Sequence, residues 1–293
     1  MFGGGAAVSS PAVGRGDPDP HGRGVSRRGL FRLGLSGGDA TVVDYDSVTA
    51  RVRAGWEAAP AEPLLRALEP VGPVLAGLVG VMAGERVLDA GAGDGNVALA
   101  CLERGAVVEA CDIAEAMVAR GRARTGPSVE WRRADVQSLP YDDGSFDVVL
   151  SAFGAALAPR GRRAARELVR VLRPGGRLGL AAWTPEGLPG ALDAHVPLPD
   201  GVLPPSAWAD DQIARRRFEP HLQWLERRTR RVALRFAGRE AMFEAFTLPL
   251  GLAEEERAAL RPAFDRLAGD PAGTASGAEF HARYVLYAGR RPD

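Results

Sequence analysis

Lysine is absent from the chain: all 37 basic residues are arginine, set against 37 acidic ones. With the heavy use of alanine and glycine, this reflects a GC-rich genome more than a function. Because the charges balance and the arginines are scattered, nothing in the composition marks a nucleic-acid binder. Cysteine is nearly absent. Cys101 and Cys111 do not make a disulfide framework, and no cysteine triplet exists to hold an iron–sulfur cluster. A reducing, cytoplasmic setting is the expectation. Long apolar runs are missing too: the best, Val74 to Ala83, follows prolines and falls short of the about 18–20 residues that cross a bilayer. What remains is a 293-residue chain, 46% hydrophobic and 25% charged, which can bury a large core. One large α/β domain with additions is expected.

The most informative stretch runs from Glu85 to Leu99. An apolar run ends in Asp89, glycines follow at 91, 93 and 95, and an apolar-periodic helix then begins: a strand, a tight turn and a helix with a backbone-lined pocket at the turn. Gly91 and Gly93 let the chain turn and let a ligand approach main-chain N–H groups, while Gly95 opens the helix at its positive end, so the pocket should attract a carboxylate or a polar ligand edge. Asp89 and Asp94 flank the glycines. Each carboxylate would oppose a pyrophosphate by about 1–4 kcal/mol at intermediate dielectric, whereas an ammonium or sulfonium would be favoured. A dinucleotide fingerprint also wants a glycine where Asn96 stands.

Asp89-Ala-Gly91-Ala-Gly93-Asp-Gly95 resembles the first motif of the class I S-adenosylmethionine-dependent methyltransferases. The resemblance implies a Rossmann-like three-layer α/β sandwich on a mostly parallel seven-stranded sheet with an antiparallel last strand. Residues beyond the turn agree. Val107 to Cys111 reads as a second strand, and Asp112 at its tip lies about twenty residues from the first glycine, placed to accept both ribose hydroxyls. Asp112 is also placed to cap the next helix, Ala114 to Arg122, and the two roles can coexist. Asp135 and Val136, after the strand Val129 to Arg132, are the positions that the family uses for the adenine amine and a ring nitrogen, with Ile113 under the ring. Ser151 is the expected methionyl contact through its carbonyl, and Ala92 and Met117 complete the cofactor set. With too few cysteines for a cluster, radical use of the same cofactor is excluded.

Leu139 to Leu150 is a polar turn feeding an apolar strand, in which Asp147 is a structural start. That wording, with Glu167 to Gly176, resembles the small-molecule branch that includes quinone and natural-product methyltransferases. Leu172 to Gly176 reads as a helix end turning into a fifth strand, Arg177 to Trp183. The loop Ser151 to Leu157 lacks an Asn-Pro-Pro-Tyr sequence and a Pro-Cys pair, which lowers the weight of nucleic-acid and protein acceptors. Tyr45, Trp56, Phe153 and Trp183 are candidate walls of an acceptor pocket, although packing onto the core also accounts for Tyr45 and Trp56.

Residues 1–38, rich in Gly, Pro and Arg, are expected to be disordered, and part of them to precede the true start. Ser26 to Phe31 superficially matches a twin-arginine signal but lacks the apolar region that should follow. A methyltransferase domain is expected over 39–293. Within it, 42–84 forms a helical cap, starting with a helix from Val48 toward Trp56 capped by Asp46 and Ser47, and 85–183 forms the cofactor core. Residues 184–228, with Trp208, Phe218 and Trp224, form a lid insertion over the sheet edge that would cover the acceptor, and 229–293 the last strands and helices, with strands at 230–236 and 280–287. The expected reaction is direct displacement onto an oxygen, nitrogen or carbon of a small molecule, driven mainly by alignment and desolvation. His195, His221, His281 and Glu186 are available bases, yet nothing places them at the methyl group, so no catalytic residue and no metal ligand is named. A monomer or homodimer is expected. The other readings are a non-catalytic S-adenosylmethionine-binding partner or regulatory protein, and a nicotinamide-dependent reductase.

Overall fold

A computed structural model describes residues 43–268 and 278–293. The expectations for residues 1–38, including the arginine pair, lie outside the described residues. Three helices come first: α1 (Tyr45–Ala58), α2 (Glu62–Ala67) and α3 (Val71–Val79). Alternation then begins with β1 (Arg86–Ala90), α4 (Asn96–Leu102), β2 (Val107–Asp112), α5 (Glu115–Thr125), β3 (Val129–Arg133), β4 (Phe146–Ala152), α6 (Gly161–Arg170) and β5 (Leu172–Trp183). The remainder supplies α7 (Leu188–Asp193), α8 (Asp211–Phe218), β6 (Gln223–Phe236), α9 (Arg239–Thr247), α10 (Glu254–Ala268) and β7 (Ala278–Arg290).

The seven strands form one sheet in the order β3-β2-β1-β4-β5-β7-β6. β1 to β5 pair in parallel, and β7 runs antiparallel to both β5 and β6. Strands buried on both faces must be apolar throughout, and Val87-Leu88, Val148-Val149-Leu150 and Leu178 to Ala182 are. Val87, Val148 and Leu150 face a core shared with α3, α4, α9 and α10, while Leu88, Val149 and Leu178 face one shared with α6 and α8. The result is a Rossmann-like three-layer sandwich, and strand order reverses between β1 and β4. Crevices for ligands open at such a point, beyond the carboxyl ends of the strands.

Several boundaries differ from those read in the sequence, each for a local reason. Helix α1 starts at Tyr45 rather than Val48, because Asp44 accepts from the backbone N–H and the hydroxyl of Ser47; Asp46 and Ser47 lie inside the first turn. Strand β5 starts at Leu172, ahead of the Pro174-Gly175-Gly176 turn. The pairing jumps from Phe146↔Leu172 to Val148↔Arg177, and the residues bulged out between them are clasped by the Gly175 N–H to Arg291 O and the Arg291 N–H to Gly176 O. Strand β6 starts at Gln223, inside the stretch read as an insertion to 228. Trp208, Phe218 and Trp224 stack edge to face at 5.8 and 5.2 Å and pack into the core under α6 rather than projecting over the sheet edge.

Asp147 is structural, as expected: its Oδ2 accepts from the Arg86 N–H at 2.8 Å and its Oδ1 pairs with Arg173. Helix α1 is tied to the sheet domain through its C-terminal half. The two Glu57 carboxylate oxygens accept from the N–H groups of Glu115 and Ala116 at 2.8 and 2.9 Å, so a residue of α1 caps the free N-terminus of α5.

Two helical glycines separate propensity from packing. A Cβ at Gly121 in α5 would lie 2.1 Å from the Trp131 ring, whereas one at exposed Gly77 in α3 would meet only the Arg104 side-chain tip at 3.4 Å. Helix propensity favours alanine by about 1 kcal/mol at both. Thermal unfolding is therefore expected to show Gly77→Ala raising the melting temperature and Gly121→Ala lowering stability by ~1–3 kcal/mol through overpacking. Equal stabilisation by both would contradict the placement of Trp131 against α5.

Candidate functional site

At the switch point the chain turns sharply after β1, and the turn is built against β2. The N–H groups of Gly91 and Ala92 donate to Cys111 O at 2.9 and 3.0 Å, and the Gly93 N–H donates to Asp112 Oδ2 at 2.9 Å. Gly91 and Gly93 have φ of +67° and +57°. A Cβ on Gly91 would stand 2.9 Å from the Cα of Gly154, so the turn also needs glycine there to let the loop after β4 cross it.

This geometry alters the sequence argument in one respect. The N–H groups expected to cradle a ligand are already bonded within the protein, and the turn is not an anion nest. What it presents instead is carboxylate. Asp89 is almost fully buried, its Oδ2 accepts from the Ala98 N–H at 2.9 Å, and its Oδ1 is buried without a hydrogen-bond partner. Asp112 accepts from Gly93 through Oδ2 and from the Ala114 N–H through Oδ1 at 3.0 Å, so it braces the start of α5 as well as lining the site. Burial pushes the Asp89 carboxyl up to about 7 and the Asp112 carboxyl up to about 6. A ligand bearing positive charge or hydroxyl donors would relieve both.

The cleft above has a volume of about 950 Å³ with its open mouth included. Asp89, Gly91, Ala92, Gly93, Asp112, Ile113, Asp135, Val136, Trp56 and Phe153 all line it, so ten of the sequence candidates converge on one cavity. The other five do not. Gly95, at φ +96°, carries the start of α4, where an added Cβ would stand 3.0 Å from the Trp131 ring. Met117 is fully buried among Ala61, Leu65 and Ala114. Ser151 lies in β4, not in the loop; its hydroxyl donates to Ala90 O at 2.6 Å and accepts from the Ala155 N–H at 3.0 Å, bracing the loop from below. Tyr45 lies outside the cleft with the Arg160 guanidinium 4.8 Å over its ring. Trp183 stacks behind Phe153, centroids 4.1 Å apart and planes 18° apart.

Asp94 also stands apart from the cavity lining. Arg124 bonds it at 2.8 Å and reaches Asn96 Oδ1 at 2.7 Å and Glu69 at 3.0 Å, so the repulsion expected from Asp94 is neutralised and the ligand preference rests on Asp89 and Asp112. His195, His221, His281 and Glu186 are exposed, and none lines the cleft.

Gln137 is the residue that sequence reasoning missed. Buried and on the cavity wall, it donates through Nε2 to Asp135 Oδ2 at 2.9 Å and Thr49 Oγ1 at 3.2 Å, while its Oε1 accepts from the Arg160 N–H at 3.0 Å. It joins α1, the loop after β3 and the start of α6. Its position directly after Asp135-Val136 was the one available signal. Phe153, which backs the cleft, is the one described non-glycine residue with positive φ, +66°. Such strain persists where the surroundings over-determine it, here the Trp183 stack and the Phe153 N–H to Ala181 O bond.

Comparison with known proteins agrees with this geometry. Residues 88–180 match the family model described as a methyltransferase domain. An uncharacterized protein of Mycobacterium tuberculosis is 39% identical over 188 residues, covering 61% of this chain and 67% of the relative. A demethylmenaquinone methyltransferase of Clavibacter sepedonicus is 41% identical over 113 residues, 38% of this chain and 46% of that protein. Among solved structures, a candidate methyltransferase from Bacillus halodurans superposes with a TM-score of 0.53 at 20% identity, covering 75% of this chain and 98% of that one. The [4+2]-cyclase SpnF has the same score and identity over 85% of this chain and 94% of its own, a likeness of fold alone. With the glycine turn, the acid at the tip of β2 and the seven-stranded sheet in place, the chain belongs to the class I S-adenosylmethionine-dependent methyltransferase family.

Proposed function

We propose that the cleft between β1 and β4 binds S-adenosylmethionine and that the protein transfers its methyl group to a small-molecule acceptor. The observation that carries the cofactor assignment is the unpartnered, buried Oδ1 of Asp89, which a cationic ligand would satisfy. Asp89 would face the methionyl ammonium across the glycine turn, and Asp112, held by two backbone N–H groups, has lone pairs left for ribose hydroxyls. Ile113, Val136 and Asp135 would receive the adenine, with Gln137 fixing the Asp135 carboxylate. When bound, the cofactor would supply an electrophilic methyl group whose departure leaves a neutral thioether, so that the residues of this chain need only hold the acceptor in line with it.

The protein's part is alignment and exclusion of water. Asp89, Asp112 and Asp135 are the ionisable side chains that line the cleft, and each is assigned to the cofactor. Among the described residues that line the cleft, none is left as a base at the methyl group, which favours catalysis by orientation in a dry site. Phe153, Trp56, Leu65, Leu68 and Val71 make the rest of the wall apolar. The partial likeness to a demethylmenaquinone methyltransferase supports an acceptor of the quinone or natural-product type.

Titration calorimetry with S-adenosylmethionine tests the reading, with NADH as the competitor reading's ligand. The wild type is expected to bind S-adenosylmethionine and not NADH, and Asp112→Ala to weaken binding tenfold or more, since bonds to a charged carboxylate are worth ~1.5–3 kcal/mol. Binding of NADH alone, or unaltered affinity in the variant, would refute the assignment.

The raised carboxyl pKa values give a second test with a definite sign. In the free protein, the stability linked to Asp89 and Asp112 is fully present below their unfolded pKa, about 3.9, and is lost as pH rises through about 6 and 7. The bound cation favours the ionised form, so affinity should climb between pH 5 and 8 and binding should release a proton near pH 7. In calorimetry across buffers of different ionisation heat, Asp89→Asn should remove the proton release near pH 7; if release persists in that variant, Asp89 does not contact the cation.

A further inference from the structure

A second cavity lies against the first, with a volume of about 450 Å³ including its mouth. The two share one wall, formed by Val52 of α1 and by Leu157, Ala158 and Pro159 after β4. The far wall of the second cavity comes from additions to the sheet core: Val196, Leu198 and Val202 in the segment after α7, and Leu250 after α9. This lining is almost entirely apolar. A polar ligand or ordered water would find few partners there.

Two polar groups break the pattern. The Asp193 carboxylate is already used, accepting from the Ser206 N–H at 2.8 Å to hold the wall together. Arg51 is different: its Nη2 donates to Pro197 O at 3.2 Å, but its Nε is buried with no partner. A buried donor left unpaired costs about 1–3 kcal/mol, and an incoming oxygen would recover that. The environment thus describes its occupant: a compact, mostly apolar body with an oxygen that accepts a hydrogen bond.

We propose that this second cavity is the acceptor site, and that it takes a small apolar ring or chain bearing a hydroxyl or carbonyl oxygen recognised by Arg51. This deepens the methyltransferase reading and rests on it, because the shared wall is what would set such a molecule beside the cofactor. The acceptor-side role expected of the insertion then falls to the 193–205 segment, which closes the far side of this site. Val52 and Leu157, which line both cavities, then flank the junction at which the acceptor meets the methyl group.

The test uses the full chain and 1-naphthol as probe, with naphthalene as the analogue lacking oxygen, both followed by fluorescence titration. Saturable 1-naphthol binding is expected. Arg51→Met should weaken 1-naphthol at least fivefold while altering naphthalene less than twofold, and Val202→Phe, which fills the cavity without touching the cofactor cleft, should weaken both tenfold or more. S-adenosylmethionine affinity should stay within twofold in both variants. No saturable binding of 1-naphthol, binding indifferent to Val202→Phe, or binding that competes with S-adenosylmethionine would each overturn the acceptor site. Failure of the wild type to bind S-adenosylmethionine would instead sink the underlying cofactor reading, and the two failures are read in separate titrations.

Discussion

The grip of β2 on the turn after β1 is the constraint from which the rest of the site follows. Cys111 O and Asp112 Oδ2 take the N–H groups of Gly91, Ala92 and Gly93, so the turn's position is set by the strand beside it. The same register, Ala90↔Cys111, brings Asp89 and Asp112 to one edge of the sheet. Bringing two carboxylates together under burial disfavours their charged forms, and the protein tolerates this because each accepts backbone N–H groups. A site that pairs two buried carboxylates with a turn whose N–H groups at 91–93 are already bonded selects for a cationic, hydroxyl-rich ligand and against a pyrophosphate. The discrimination comes from where the hydrogen bonds already go, as much as from the count of glycines.

Around that edge the non-sheet segments act as walls. Helix α1 is pinned by Glu57 capping α5 and by Thr49 bonding Gln137, and it contributes Trp56 to one cavity and Val48 to the other. Arg124 draws Asp94, Asn96 and Glu69 together, and Asn96 Nδ2 donates to Leu65 O, so the helical cap, the glycine turn and α5 form one bonded frame.

Residues whose role depends on local backbone chemistry were legible early. Asp89, Gly91 and Gly93 sit in a strand–turn–helix whose spacing can be counted, Asp112 ends the next strand at a countable distance, and all four line the cleft. Residues whose role depends on which face they turn to were not. The sequence puts Ser151 in a loop, with its carbonyl toward the methionyl group; β4 runs two residues longer and takes in Ser151, whose hydroxyl turns onto the backbone of β1 and the following loop. Trp183 was read as a wall, yet the strand's alternation places it behind Phe153. Tyr45 and Trp56 lie eleven positions apart on one helix and look alike as candidates; only the docking angle of α1 separates the one that enters the cleft from the one that lies under Arg160.

What the sequence by itself determined is the alternation of strands and helices, the sharp turn after Asp89 and the placing of acids at strand ends, because hydrophobic period and glycine spacing are local properties of the chain. Tertiary structure decided the rest. It neutralised Asp94 through Arg124, occupied the N–H groups that looked free, made Gln137 a junction, and set a second apolar cavity against the first. Each of these depends on contacts between segments tens of residues apart, and such contacts are fixed by packing geometry that no local pattern encodes.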